Sequence, residues 1–198
     1  MVSIRLANKN ECCRVAKIHC QEIKWGFLSQ LGERFLCYFY EAVIDSSNAF
    51  LIIAQKDDSI IGFISGCSNL NKLYQEFVRK YSFKAFPVLL RRIFNSIIIK
   101  KIFEIIKYSK QREKNLPEAE LLTIAVSKNF QGSGIAQKLL EKFISEMKRR
   151  GIWQFKVIVG EKLSRAVRFY EKSGFIFYSQ DSIHEDTPSR IYLYNIKE

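Results

Sequence analysis

Patterns that define several protein classes are missing from this chain of 198 residues. It has no run of about eighteen apolar residues that could span a membrane, and its N-terminus has no apolar signal core. It also has no Cys-x-x-Cys pair, no zinc-ligand spacing, no RNA-binding signature and no helix-turn-helix pattern. We therefore expect a cytoplasmic protein that needs no metal and binds no nucleic acid.

Acidic residues are scarce relative to basic ones: 20 Asp and Glu stand against 32 Lys and Arg, which gives a net charge of +12. A charge of this size is compatible with nucleic acid, an anionic membrane surface or acidic small molecules as partners. The length predicts one domain, residues 1–198, with a hydrophobic core of its own.

All cysteines lie in the first third of the chain: Cys12, Cys13, Cys20, Cys37 and Cys67. An odd number of cysteines among apolar neighbours favours reduced, buried thiols in a cytosolic protein. Core packing is therefore a better interpretation of these residues than redox or metal chemistry.

The most informative segment is an apolar strand, residues 123–126, that runs into a glycine-bearing loop, residues 131–136. The loop opens an amphipathic helix with an apolar stripe at helical spacing: Leu139, Leu140, Phe143, Ile144 and Met147. A helix N-terminus leaves N–H groups unpaired and carries partial positive charge, and glycines let a ligand approach the backbone. The loop is therefore suited to a pyrophosphate, although it has neither a Walker Gly-Lys-Ser/Thr nor the dinucleotide glycine spacing.

A second segment, residues 165–175, follows further along the chain. It reads as a short helix with Ala166, Phe169 and Tyr170 on adjoining faces. Gly174 stands where a left-handed residue commonly ends a helix, and Phe175 is expected to open a new strand.

Together these two segments resemble the GCN5-related N-acetyltransferase superfamily. Its acyl-CoA signature, Gln/Arg-x-x-Gly-x-Gly/Ala, is filled by Gln131, Gly134 and Ala136. Its second motif, Ala-x-x-Phe/Leu-Tyr-x-Lys-x-Gly-Phe, is filled by Ala166, Phe169, Tyr170, Lys172, Gly174 and Phe175. The close resemblance covers residues 118–178, which we interpret as the acetyl-CoA-binding core.

The resemblance implies an α/β (α+β) fold, with a mixed, mostly antiparallel central sheet flanked by helices. Predicted strands before the motif are residues 2–7, 49–55 and 59–66, the last two joined by a hairpin turn. Asn8 and Glu11 suit a capping box for a first helix, and Ser29 is expected to cap a second. Homodimers are common on this fold, and the sequence leaves the oligomeric state open.

Residues 68–117 depart from the resemblance, because the superfamily passes from its third strand to its fourth through a short turn. The segment reads as helices, with Pro87 at a break or a first turn. Between Ser68 and Glu120, twelve Lys and Arg stand against five Glu, so this basic helical insert carries +7 of the chain's +12. Three readings stay open: a helical cover over the acceptor cleft, a docking surface for an anionic acceptor, and peripheral attachment to anionic lipid.

Acetyl transfer to an amine requires that the donor be held, its carbonyl polarised and two protons moved. The resemblance implies acetyl-CoA as the donor, with no metal. Its pyrophosphate is expected on the backbone N–H groups of Gln131, Gly132, Ser133, Gly134, Ile135 and Ala136. Its pantetheine arm is expected along the backbone of Ile124, Ala125 and Val126, with a further contact to Tyr170.

Tyr170 is the predicted general acid, because the superfamily often uses the tyrosine of this motif to protonate the departing thiolate. A phenol has a pKa near 10 in water, above that of a thiol, so it is protonated at neutral pH. The alternative is an aromatic side chain that only packs against the pantetheine.

Glu120 is the predicted general base, at the strand position where the histone-acetylating branch of the superfamily has its glutamate. Strict alternation would place Glu120, Leu122 and Ile124 on one face, where apolar neighbours would raise the pKa of the carboxyl. The alternative is a solvated glutamate at the start of a strand. Glu22 and His184, the latter in a predicted loop, are weaker candidates.

Leu163 stands where the superfamily commonly has Asn, so the usual amide contact to coenzyme A is absent. The expected function is acetyl-CoA-dependent N-acetylation of a primary amine on a small-molecule acceptor, by direct attack in a ternary complex. An amino sugar, free or nucleotide-linked, fits the basic insert slightly better than a peptide N-terminus or a polyamine. The alternatives are a non-catalytic acyl-CoA-binding protein on the same fold and an acyltransferase docked to a membrane through the insert.

Overall fold

The computed structural model describes residues 1–24, 27–93, 116–184 and 187–197. Within them the chain forms seven strands and six α-helices. In chain order these are β1 (Val2–Leu6), α1 (Cys12–Glu22), α2 (Phe27–Leu31), α3 (Glu33–Asp45), β2 (Ala49–Lys56), β3 (Ser59–Cys67), α4 (Leu70–Ile93), β4 (Glu120–Val126), α5 (Ile135–Arg149), β5 (Gln154–Gly160), α6 (Ser164–Lys172), β6 (Ile176–His184) and β7 (Thr187–Asn195).

The strands form one sheet in the order β1-β2-β3-β4-β5-β7-β6. Every neighbouring pair is antiparallel except β4 and β5, which run parallel. This confirms the predicted mixed, mostly antiparallel sheet with flanking helices. None of the helices in the described ranges is long and apolar enough to cross a membrane.

Core clusters on both faces of the sheet explain why its central strands are continuous apolar runs. On β2, Phe50 and Ile52 join a cluster with residues of α5, whereas Leu51 and Ile53 join a cluster with residues of α1 and α3. Successive side chains of a strand point to opposite faces, so a strand covered on both sides needs apolar residues at consecutive positions.

The first helices begin only partly where the sequence predicts. The Asn8 N–H donates to Glu11 Oε2 at 2.7 Å, which confirms the capping box ahead of α1. The prediction for Ser29 is wrong, because this residue lies inside the short α2 and its hydroxyl donates to the Ile23 carbonyl. The segment predicted as one helix forms two separate helices, α2 and α3, and the long α3 begins after Gly32.

The predicted insert, residues 68–117, begins with α4, one helix that contains Pro87 in its interior. The prediction of a break or first turn at Pro87 is wrong, because the inward stripe of α4 continues past it through Ala85 and Val88. Packing of that stripe outweighs the loss of the backbone bond that proline removes. Residues 94–115 of this predicted helical segment lie outside the described residues.

Cys13 on α1 and Cys37 on α3 form a disulfide, with their Cα atoms 4.6 Å apart. The expectation of reduced thiols is therefore wrong for this pair, because α1 and α3 contact each other and bring together residues 24 apart in sequence. Cys12 and Cys67 are buried, as expected. The cytoplasmic location stays a prediction. A disulfide does not favour it, because disulfides are rare in that compartment.

Candidate active site

The two parallel strands of the sheet run together for only two residues and then separate. Glu120 and Leu121 of β4 pair with Lys156 and Val157 of β5, and no later pair between these strands occurs in the described chain. β4 continues for five residues beyond this point and β5 for three. The sheet is therefore open between the ends of β4 and β5.

A β-bulge in β4 coincides with the point of separation. Against β3, the register passes from Ser65–Thr123 to Gly66–Leu121, so Leu122 is an extra residue in β4. A bulge bends its strand and increases the local twist. We infer that the bulge turns the second half of β4 away from β5.

The bulge also overturns the predicted alternation along β4. Leu122 packs against the core cluster that contains residues of α1 and α3, whereas Ile124 packs against the cluster that contains residues of α5. Glu120, Leu122 and Ile124 therefore do not share one face, because one extra residue shifts the phase of the alternation.

Beyond the bulge, alternate residues of β4 direct their backbone groups into the opening. The Ser127 N–H donates to the Ile61 carbonyl of β3 at 2.8 Å, and hydrogen-bonded pairs alternate along an antiparallel ladder. The backbone groups of Ala125 therefore face β3, and those of Ile124 and Val126 face the opening. Of the three residues predicted to pair with a pantetheine arm, Ile124 and Val126 have the required orientation.

The loop between β4 and α5 presents a cradle of backbone N–H groups. Gly132 and Gly134 both have a φ of +78°, which L side chains rarely adopt, and a Cβ at either position would meet nothing within 4 Å. The first backbone bond into α5 runs from the Lys138 N–H to the Gly134 carbonyl at 3.2 Å. The N–H groups of residues 132–137 form no bond to a described residue, so the backbone is both open and rich in donors.

Two groups of the predicted cradle are engaged within the loop itself. The Gln131 N–H donates to the Lys128 carbonyl at 3.3 Å, so this group is already used within the loop. The Ser133 hydroxyl donates to the Phe130 carbonyl at 2.5 Å and thus braces the loop. The predicted N–H donors that remain are those of Gly132, Ser133, Gly134, Ile135 and Ala136. This donor set at a helix N-terminus fits a pyrophosphate.

Glu22, the last residue of α1, clamps that helix to the loop. Its Oε1 accepts a bond from the Lys128 N–H at 2.9 Å, and its Oε2 accepts one from Gln131 Nε2 at 3.1 Å. Gln131 Nε2 also donates to the Val126 carbonyl at 3.0 Å. Because both carboxylate oxygens are engaged by the loop, we interpret Glu22 as a positioning residue, called here the Glu22 clamp, rather than as a base.

Tyr170 lies on α6 and is only 4% exposed. Its ring contacts those of Phe169 and Phe175, at centroid distances of 5.5 and 5.0 Å. Burial raises the pKa of the phenol well above its ordinary value, so the group is protonated at neutral pH.

Glu120 lies in an ion pair and not in the purely apolar surroundings predicted for a base. Lys156, its partner across the strands, is 1% exposed, and its Nζ lies 3.6 Å from Glu120 Oε2. The same ammonium donates to the Pro117 carbonyl. A neighbouring ammonium favours the ionised carboxylate, and a buried lysine in turn requires such partners.

A buried polar chain behind β4 was missed by sequence reasoning. His19 Nδ1 lies 2.6 Å from Tyr40 Oη, and Thr123, next to the bulge, is a further buried polar residue of this region. Burial lowers the pKa of His19 to about 4, so its ring is neutral at pH 7. The only sequence signal is that His19 falls on the apolar stripe of α1 with Val15.

The remaining predicted positions lie around α6 and β6. Leu163 directly precedes α6, and its side chain is 49% exposed and apolar, so it cannot supply the amide of the usual Asn. His184 lies in β6 and not in a loop, and its side chain is outside the described residues. Gly174 has a φ of +89° after α6, as predicted, and the strand that follows begins at Ile176, one residue later than expected.

These features define an α/β protein with a donor-rich anion cradle beside an open strand edge. The chain matches the profile of the Acetyltransferase (GNAT) family over residues 17–175 and belongs to that family. This confirms the predicted family, together with the enzyme class and the acetyl-CoA donor that go with it.

Individual relatives are more distant. A stretch of 60 residues is 37% identical to the [ribosomal protein bS18]-alanine N-acetyltransferase of Escherichia coli K12, covering 30% of this chain and 40% of that protein. The chain thus aligns with less than half the length of this curated relative.

Solved structures share the fold at low sequence identity. The ribosomal-protein-S18-alanine N-acetyltransferase from Escherichia coli has a TM-score of 0.64 at 14% identity, over 100% of this chain and 96% of that one. The yncA protein of Salmonella typhimurium, solved with its cofactor acetyl-CoA, has a TM-score of 0.63 at 15% identity, over 100% and 95%. At these identities the likeness establishes the fold alone.

Proposed function

We propose that the protein transfers the acetyl group of acetyl-CoA to a primary amine in a ternary complex. The observation that carries this proposal is the open edge of β4, which leads directly into the N–H cradle at residues 132–136. An arm that contains amide groups can bond to a strand edge, and a pyrophosphate can bond to a cluster of N–H groups. The two features follow one another in the order in which acetyl-CoA presents its pantetheine arm and its pyrophosphate.

Different residues of the chain bind different parts of the donor. Ile124 offers backbone groups to the arm and Val126 offers its N–H, because the Val126 carbonyl already accepts a bond from Gln131. Gly132 and Gly134 give the loop a shape without side chains in front of the cradle. When bound, acetyl-CoA supplies an acetyl group activated as a thioester. The Glu22 clamp fixes the loop before the donor arrives, which lowers the ordering cost of binding.

We assign Tyr170 the delivery of a proton from its Oη to the departing thiolate sulfur. Burial keeps the phenol protonated at neutral pH, so the proton is present when it is needed. The same low-dielectric surroundings raise the pKa of a thiol as well, which keeps the transfer within reach.

Glu120 is the proposed general base. Glu120 remains the proposed proton acceptor because it lies where β4 and β5 meet, but its ion pair with Lys156 disfavours protonation. The pH–rate profile of Glu120→Gln tests the assignment. If the variant loses the fall in rate at low pH and its kcat drops strongly, the result supports Glu120 as the base. If the profile is unchanged and only the stability of the fold is reduced, Glu120 serves to join the two strands.

Two acceptor classes compete for the amine. The basic character of the segment from Ser68 to Glu120, a net +7, favours an anionic acceptor such as a nucleotide-linked amino sugar. The sequence match to a ribosomal-protein alanine N-acetyltransferase favours a peptide N-terminus as the second candidate.

A mass-spectrometric acetylation assay decides between these candidates. The full chain is incubated with acetyl-CoA and a mixed panel of amino sugars, nucleotide-linked amino sugars, polyamines, amino acids and peptides that begin with alanine. An acetylated member of the panel, absent when Gly134→Val replaces the wild type, establishes the enzyme and names the acceptor class. If no member of the panel is acetylated while acetyl-CoA still binds, the result would instead favour a non-catalytic acyl-CoA-binding protein.

A further inference from the structure

The outer face of α4 differs from an ordinary solvent-exposed helix surface. Its inner face is buried through Leu73, Tyr81 and Ala85, which are between 0% and 4% exposed. On the outside, Phe83 is 92% exposed and Phe86 is 56% exposed. Residues three apart lie on the same side of a helix, so these two phenyl groups form one apolar ridge that no described residue covers.

Basic side chains surround this ridge. The exposed charged residues of α4 whose side chains are described are all cations: Lys72, Arg79, Lys80 and Lys84. The single acidic residue of the helix, Glu76, is partly buried, and its Oε1 accepts a bond from Asn48 Nδ2 at 2.9 Å. The face therefore presents exposed aromatic groups among side chains whose exposed charges, as far as they are described, are all positive.

We propose that this face of α4 docks on the surface of an anionic lipid bilayer. A helix with apolar side chains between cations lies in the interface, with the apolar groups at the acyl boundary and the cations among acidic headgroups. Long Lys and Arg side chains can reach those headgroups while their stems cover apolar surface. Phenylalanine side chains offer no hydrogen-bonding group for reading a base edge, so a nucleic acid duplex is the weaker occupant. Stacking of single-stranded bases on the two phenyl groups is an outcome of the test below.

The proposed docking face belongs to a different element from those that build the proposed active site. The cradle and the opening between β4 and β5 are built from other elements, and α4 makes its main helix contacts with α3. The proposal does not depend on the identity of the acceptor, and it accounts for why the insert is both basic and apolar.

Vesicle sedimentation of the full chain tests the proposal. The probes are vesicles of phosphatidylcholine with about one third phosphatidylglycerol, and vesicles of phosphatidylcholine alone. We expect at least tenfold stronger binding to the anionic vesicles, which falls as salt rises from about 0.1 to 0.5 M. Absence of binding to the anionic vesicles at low salt would overturn the proposal.

Paired variants separate lipid docking from unspecific attraction. Phe83→Ser with Phe86→Ser should weaken binding at least tenfold, because the ridge is lost while the charge is kept. The control Trp153→Ser removes another exposed aromatic group, 47% exposed at the start of β5, and should bind like the wild type. All of these side chains are exposed, so thermal unfolding should show intact folds. Equal binding of the double variant and the wild type would contradict the proposal.

Charge reversals form the second pair. Lys80→Glu with Lys84→Glu should abolish binding to anionic vesicles, whereas Lys142→Glu with Lys148→Glu makes the same change in net charge on α5 and should weaken binding much less. Equal losses in both variants would show attraction by net charge alone and refute a docking face. Single-stranded RNA that displaces the protein from anionic vesicles, and whose binding is lost in both the lysine and the phenylalanine variants of α4, would assign the surface to nucleic acid instead.

Discussion

Removal of the Glu22 carboxylate should weaken donor binding without much effect on the chemical step. Glu22→Ala deletes the acceptors of two hydrogen bonds, from the Lys128 N–H at 2.9 Å and from Gln131 Nε2 at 3.1 Å. Hydrogen bonds to charged groups contribute about 1.5–3 kcal/mol when buried, and less at a partly exposed site where water replaces the partner. We therefore expect a loss of about 1–1.4 kcal/mol for the clamp, which is roughly a five- to tenfold rise in the KM for acetyl-CoA.

The sign of this effect is informative, because Glu22 places a negative charge beside a loop proposed to bind an anion. If repulsion outweighed positioning, both Glu22→Ala and Glu22→Gln would tighten donor binding. If positioning dominates, Glu22→Gln retains one acceptor oxygen and should raise KM only about twofold, since about half of the bonding is kept. A fall in KM for either variant would refute the positioning argument.

Steady-state kinetics with varied acetyl-CoA and a calorimetric Kd for coenzyme A measure the two quantities separately. We expect kcat to stay within about twofold of the wild type, because Glu22 acts on the loop and not on reacting atoms. Glu141→Ala is the matched control: it removes the same charge from α5, where Glu141 Oε1 accepts only a bond from Gln137 Nε2 at 3.2 Å. That control should leave KM unchanged.

Three further predictions follow from the site and its surroundings. Tyr170→Phe should lower kcat by about 10²-fold or more with the Kd for coenzyme A retained, as expected for loss of a general acid; near-normal turnover would leave Tyr170 as a packing residue. Gly134→Ala should lower the free energy of unfolding by about 1–2 kcal/mol in a urea titration, because the φ of this residue is +78°, and should weaken donor binding as well. The control Gly160→Ala should be tolerated, because its added Cβ would lie 3.8 Å from the nearest atom, in the Leu163 side chain. The pKa of His19 is lowered from 6.5 to about 4 in the folded state, so the unfolded chain binds more protons in that window and the free energy of unfolding should fall as pH drops from about 6.5 toward 4. Urea titrations at several pH values should show this slope in the wild type, and His19→Gln should remove it; an identical slope in the variant would assign it to other groups.

The local backbone features of the candidate site that agree with the sequence are those encoded by neighbouring residues. The cradle follows from Gly132 and Gly134 at the start of an amphipathic helix, and the end of α6 follows from Gly174. Each of these depends on local backbone conformation, which a short stretch of sequence is sufficient to specify.

The parts that were missed depend on residues far apart in the chain. The Glu22 clamp joins positions 106 and 109 residues apart, and His19 and Tyr40 meet only because α1 packs against α3. The bulge at Leu122 is visible only once β3 is paired with β4. Strict alternation failed for Glu120 for this reason, since a single extra residue cannot be read from an apolar run.

The brief pairing of β4 with β5 divides the sheet into two halves, called here leaves, that are paired with each other over a short length only. One leaf is β1 to β4, the other is β5, β7 and β6, and two residue pairs join them in the described sheet. Tyr170 lies on α6, which connects β5 to β6 of the second leaf. A donor that bonds to the edge of β4 and contacts Tyr170 would therefore link the two leaves. The two leaves already share one hydrophobic cluster, to which Phe50 and Ile52 contribute from the first leaf and Phe155 and Tyr192 from the second. The donor would therefore add a second connection to this cluster, and each turnover would remove that added connection.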